Sequence, residues 1–159
     1  MTDRTADTAA TAARPSRAPW YVSLFNPLTR FVLRAGVPLG FNGLMTIRGR
    51  KTGLPRTTPI AIIEVDGRSW VWSPWGEVNW VHNLRAAGRA TITKRGQELD
   101  VHATELDADE RVAFFRHIAG PAARHIPFGY WFIRIVDGTD LNHPAEAARG
   151  RAVFELHAS

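Results

Sequence analysis

Four cations, Arg48, Arg50, Lys51 and Arg56, fall within nine consecutive positions that contain no acid. Gly49, Gly53, Pro55 and Pro59 shape the backbone among and after them. Charges kept only for solubility need no such backbone. A loop that holds several phosphate or carboxylate oxygens does, because its guanidinium, ammonium, hydroxyl and N–H donors must converge. The chemistry expected here is therefore capture of a polyanion.

Two further segments carry reactive or binding potential. Ser73-Pro74-Trp75-Gly76 joins a hydroxyl, a rigid turn and a tryptophan. Asn79-Trp80-Val81-His82-Asn83-Leu84 opens a helical pattern, and the N–H groups of a first helical turn favour an anion. Other chemistries lack their signatures. No G-x-G-x-x-G follows a strand pattern, and Gly49–Gly53 is not a Walker loop. The histidines at 82, 102, 117, 125, 143 and 157 show no metal-ligand spacing. There is no G-x-S-x-G elbow, and with no cysteine there is no thiolate nucleophile, thiolate metal site or disulfide. The absence of cysteine fits a cytoplasmic protein.

The elements that must position these segments read as follows. The 159 residues suit one domain with one core, and 45% hydrophobic residues with six tryptophans suit a globular fold. Residues 1–19 read as a disordered tail, and 20–159 as the domain. Residues 20–35 show apolar positions at helical spacing, an amphipathic segment that could lie on the domain or on a membrane surface. Gly43–Arg48 reads as a strand. Thr57–Val65 reads as a single strand buried on both faces. Asp66-Gly67 marks a hairpin returning through Ser69–Ser73, with Trp70 and Trp72 on one face. Glu77–Ala87 reads as a helix capped by Gly88. Ala90–Lys94 and Glu98–Leu106 pair around Arg95-Gly96. Asp107 and Glu110 form a capping box for a helix that Gly120 ends. Tyr130–Val136 reads as a strand, Pro144–Gly150 as a helical turn and Ala152–Leu156 as a last strand. Many short strands in hairpin order with a few helices define an α+β, mainly antiparallel chain: a small barrel with flanking helices.

The net charge of +5 biases the protein toward anionic partners, but its densest cluster is one loop rather than a stripe interleaved with aromatic residues. Nucleic acid is therefore not the expected partner.

Taken in order, the strand, G-R-K-T-G-x-P-R-x-x-P, the hairpin, S-P-x-G and N-W-x-x-N-L resemble the deazaflavin-dependent nitroreductases, also described as F420H2-dependent quinone reductases. The resemblance covers roughly residues 40–107. It implies a split β-barrel, the reduced deazaflavin coenzyme F420, and hydride transfer to a quinone, nitroaromatic or activated enone. It also implies that Arg50, Lys51, Thr52 and Arg56 hold the phosphate and polyglutamate tail of the coenzyme. By the same resemblance Thr57, Thr58, Pro59, Ile60 and Ala61 run beside its ribityl chain and ring. Trp72, Ser73, Pro74 and Trp75 would line the ring site, and Asn79, Trp80, Val81, His82 and Asn83 would close it. Where the family's ring loop carries a lysine, this chain has Trp75. Tyr130 is the candidate proton donor beside water, and no metal is implied. Monomer and homodimer both stay open. The alternatives are a non-catalytic lipid or fatty-acid binder on the same fold, and a related barrel using FMN or another flavin.

Overall fold

The computed structural model describes residues 43–125 and 138–159. The expected tail, the amphipathic segment at 20–35, the Tyr130–Val136 strand and Tyr130 itself lie outside the described residues.

Seven strands form one antiparallel sheet: β1 (Gly43–Arg48), β2 (Pro55–Ile60), β3 (Ile62–Val65), β4 (Arg68–Trp72), β5 (Arg89–Lys94), β6 (Gln97–Glu105) and β7 (Val153–Ala158). Their order is β2-β1-β5-β6-β7-β4-β3. The two margins of the sheet are thus β2 and β3, which follow each other in the chain with only Ala61 between. Consecutive Cα atoms lie about 3.8 Å apart, so Ile60 and Ile62 cannot be farther apart than about 7.6 Å. The sheet must curl until its margins meet, which makes it a split barrel.

This corrects the reading of Thr57–Val65 as one strand buried on both faces. The run breaks at Ala61. Its first half pairs with β1 (Gly43 opposite Ile60, Arg48 opposite Pro55) and its second half with β4 (Ile62 opposite Val71). Only Ile60 and Ile62 are buried, both toward the barrel interior. Pro55 and Pro59 are tolerated because β2 is a margin strand. Where β3 passes the start of β1, a Cβ on Gly43 would stand 2.9 Å from Ile62 Cδ1, so a side chain there would displace the end of Ile62.

The hairpins follow their sequence signals. Asp66 and Gly67 take φ of 51° and 75°, and Arg95 and Gly96 take 50° and 77°, the paired positive values of a tight two-residue turn. Alternation divides the side chains between two cores. Met45, Ile47, Val71, Ile92, Val101, Phe154 and Leu156 fill the barrel, joined by Val81 and Leu84 of α1 (Asn79–Ala87). On the opposite face of β4 and β7, Trp70 and Val153 meet Phe114, Phe115 and Ala119 from the helical run after β6.

That run begins with α2 (Ala108–Phe114), where the expected capping box is present: Glu110 N–H donates to Asp107 Oδ1 (2.9 Å) and Asp107 N–H to Glu110 Oε2 (2.8 Å). It does not end at Gly120. A π-helical turn over Phe115–Ala119 continues into α3 (Gly120–Arg124). Gly120 keeps helical φ of −60° and its N–H reaches Phe115 O, five residues back. Pro121 has no N–H to bond the turn before it, and the widened turn accommodates that loss. A short α4 (Pro144–Ala148) precedes β7.

Candidate functional site

The loop between β1 and β2 is built on Gly49. Its N–H donates to Leu54 O (2.8 Å), and Gly53 N–H donates back to Gly49 O (2.8 Å). Gly53 takes φ of 69°. A Cβ on the buried Gly49 would stand 3.2 Å from both Leu54 O and Thr52 Oγ1, so the turn closes this tightly only without a side chain there. Arg48 Nη1 donates to Gly53 O (3.2 Å) and braces the loop from its stem, a role not assigned to it from sequence. Arg50, Lys51 and Thr52 are exposed on this loop, and Arg56 is exposed at the start of β2 beside it.

Asn83 of α1 ties the loop to the helix. Its Oδ1 accepts from Arg50 N–H (3.2 Å) and from Arg50 Nη1 (3.0 Å). The helix is itself fixed at its other flank. Arg85 donates to both oxygens of Glu77 (2.7 and 2.8 Å) and of Glu105 on β6 (2.6 and 2.7 Å). The hydrogen bond from Arg85 is the main reason the Glu77 carboxyl sits below its ordinary range. Gly88, with φ of 65°, ends the helix as its sequence position indicates.

The turn Ser73–Gly76 leads directly into α1. Ser73 N–H donates to Ala152 O (2.9 Å) and Ser73 Oγ to Gly76 O (2.5 Å). Val78 N–H donates to Gly76 O (2.9 Å). Gly76 takes φ of 76°, and a Cβ there would stand 3.0 Å from Gly150 O. The turn and the loop thus flank one helix. Asn79 and Asn83 are four residues apart, about 6 Å along the axis at 1.5 Å per residue. The helix start has no side-chain cap and no acid in its first turn; Val81 N–H donates to Val78 O (3.0 Å), so the N–H groups of Asn79 and Trp80 are the ones left for another acceptor among the described residues.

Not every residue singled out from sequence presents its side chain here. Thr57 shares its Oγ1 with Thr46 Oγ1 (2.9 Å) on one face of β2, with Pro59. Arg56, Thr58 and Ile60 lie on the other, because a strand alternates. No single ligand path along β2 meets all of Thr57–Ala61. The side chains of Ile60 and Val81 are in the barrel core. Ser73 is fully buried and its hydroxyl serves the turn. Trp72 packs between Phe114 and Phe115 (ring centroids 6.0 Å from each) in the second core, and its Nε1 is buried without an acceptor among the described residues. Trp80 packs against Phe154 (6.1 Å). His82 lies on the flank of α1 toward Glu77 (Nδ1 3.7 Å from Oε2), away from Asn83. Pro74 and Trp75 remain partly exposed on the turn, and Asn79 is exposed at the helix start.

The loop gathers unpaired cations in one place, whereas other arginines without an ion pair among the described residues, such as Arg89, Arg95 and Arg149, stand singly. Arg68 is paired with Glu155, Arg85 with Glu77 and Glu105, and Lys94 with Glu64. Among the described residues no carboxylate lies within ion-pair distance of Arg48, Arg50, Lys51 or Arg56. Nor do the described residues contain a group of three or more metal-ligating side chains. No described helix is long and apolar enough to cross a membrane.

With this geometry in view, the comparisons with known proteins are specific. The signature of the F420H2-dependent quinone reductases matches residues 29–125, more than half of the chain, and the chain belongs to that family. It is accordingly an oxidoreductase, a reductase that works with coenzyme F420 and a small-molecule acceptor. No curated protein matches. Among solved structures, a conserved hypothetical protein of Mycobacterium tuberculosis is similar at 17% identity and a TM-score of 0.50, covering 74% of this chain and 72% of that one. A Bacteroides thetaiotaomicron protein, a candidate 5-nitroimidazole antibiotic resistance protein, is similar at 16% identity and 0.50, covering 84% and 78%. An F420-H2 dependent reductase, FDR-A, is similar at 19% identity and 0.48, covering 74% and 94%. At these identities the first two likenesses speak for the fold.

The residues present fit this coenzyme, whose phosphodiester and polyglutamate tail are anionic. Among the described residues the cations of the loop have no counter-charge, whereas Arg68, Arg85 and Lys94 are paired with glutamates.

Proposed function

We propose that the β1–β2 loop and the start of α1 bind F420H2 and that the protein passes its hydride to an electron-poor acceptor, a quinone first and nitroaromatics or activated enones as further members of that class. The observation that carries the reading is the unneutralised loop fixed against α1. Arg50, Lys51, Thr52 and Arg56 would take the phosphate and tail. The uncapped N–H groups of α1 would face an anionic or carbonyl oxygen, and Trp75 with Pro74 would offer an apolar wall to the ring. Bound F420H2 supplies a hydride, and the electron pair moves to the acceptor. The accompanying proton comes from water or from Tyr130. The chain orients the two partners and lowers the water content between them, so it needs no nucleophile of its own.

The test is a titration with F420 followed by tryptophan fluorescence. Saturable quenching at micromolar coenzyme is expected. Lys51→Ala and Arg56→Ala should each weaken binding by about 1–3 kcal/mol, the range for a hydrogen bond to a charged group, with thermal stability unchanged. Absence of saturable quenching by F420, or wild-type affinity in both variants, refutes the assignment of this loop.

A further inference from the structure

We infer that Asn83 is a positioning residue that sets the guanidinium of Arg50 for the anion, and not itself a ligand of the coenzyme. The inference rests on reading the loop as the F420 site. Asn83 is 8% exposed, a buried polar residue on a helix otherwise turned inward by Val81 and Leu84. A buried amide is retained at a helix–sheet junction only when its hydrogen bonds are used. Here one oxygen takes two donors from the same residue 33 positions away, the backbone N–H of Arg50 and its Nη1. The first bond fixes where the loop leaves Gly49, and the second fixes which way the side chain points. Together they remove most of the rotamer freedom that an exposed arginine would otherwise lose only on binding, and such pre-ordering raises affinity without adding a contact.

The neighbourhood supports this division of labour. Lys51 and Arg56 have no comparable tether among the described residues and gain their order from the ligand. Among the described cations of the loop and its stems, Arg50 is the one held by α1 through both its backbone and its side chain. With Oδ1 occupied twice by Arg50, only the Nδ2 donors of Asn83 are left to meet an anion directly, and a loss in the double variant beyond that of Arg50→Ala would reveal such a contact. α1 in turn is pinned by Arg85 to Glu77 and Glu105, so the oxygen is presented from a fixed helix.

The experiment uses the full chain with Asn83→Ala, Arg50→Ala and the double variant. In the coenzyme-free protein, amide hydrogen exchange at Arg50 should accelerate about tenfold in Asn83→Ala while the amides of α1 keep their protection. The F420 dissociation constant, read by fluorescence quenching, should rise about tenfold in Asn83→Ala and in Arg50→Ala, and the double variant should be no worse than Arg50→Ala alone. Multiplicative losses in the double variant, or unchanged exchange at Arg50, overturn the inference. So does general deprotection of α1, which would mean that Asn83 only stabilises the helix. If the wild-type chain shows no F420 binding, the reading of the site fails separately, and the exchange measurement still decides whether the tether exists.

Discussion

Replacing Arg85 by alanine removes four charge-assisted hydrogen bonds of 2.6–2.8 Å at once. Their worth is limited by water: the side chains of Arg85, Glu77 and Glu105 are 37%, 51% and 28% exposed. An exposed pair contributes about 0.2–1 kcal/mol, and two forked pairs sharing one guanidinium come to about 1 kcal/mol together. For a domain of this size that lowers Tm by about 2–4 °C near neutral pH. The pH dependence gives the sharper test. The Glu77 carboxyl lies below its ordinary value of 4.5 in the fold, first because Arg85 donates to it. A group whose folded pKa is depressed contributes its stability above its unfolded pKa and loses it as the pH falls through the folded value. The guanidinium stays charged throughout, so the carboxylate is the group that titrates. The gap in Tm between wild type and Arg85→Ala should therefore be widest above the ordinary Glu77 value of 4.5 and should close as the pH falls through the lower folded value. Thermal unfolding followed by far-ultraviolet circular dichroism across that range measures it. A gap that is the same at both ends would mean that Arg85 stabilises through its packed methylenes and not its charge, and the electrostatic account of how α1 is held would fail.

Two other perturbations have defined outcomes. Gly76→Ala forces a side chain into positive φ and against the backbone oxygen of Gly150 at 3.0 Å, so it should cost about 1–3 kcal/mol by thermal unfolding and also weaken F420 quenching, because Trp75 rides on that turn. Asp107→Ala removes the capping box of α2 and should lower stability by about 1 kcal/mol, read as a lower denaturant midpoint with an unchanged slope.

The legible parts of the chain were those whose cause is local. Asp66-Gly67 and Arg95-Gly96 announce their turns because the required backbone angles depend on two residues. The Asp107–Glu110 box announces a helix start because its partners are three positions apart. The corner at Ala61 carries no such mark. Alanine breaks nothing, and Ile60 and Ile62 both face inward, so an uninterrupted apolar run hides a change of partner strand. Gly120 misleads for the opposite reason: it resembles a stop signal but keeps helical angles, and the break it accommodates belongs to Pro121. At the site, the charge of the loop was plain from composition, since it needs only neighbours in sequence. The bond between Arg50 and Asn83 was not, since only the fold brings residues that far apart together. Nor does a motif separate side chains that line a surface from those that pack inward, so it could not show that the side chains of Ser73 and Val81 are buried or that Trp72 packs on Phe114 and Phe115.

Ala61 has a mechanical implication. A sheet closed by hydrogen bonds yields one bond at a time, whereas here a single covalent link carries both margins. Strain entering at Pro55 and Arg56 passes along β2, through that link, into β3 and the hairpin with β4. The loop and the Ser73–Gly76 turn are thus joined around the wall of the barrel by continuous backbone, through β2, Ala61, β3 and its hairpin with β4, the strand that ends at Trp72.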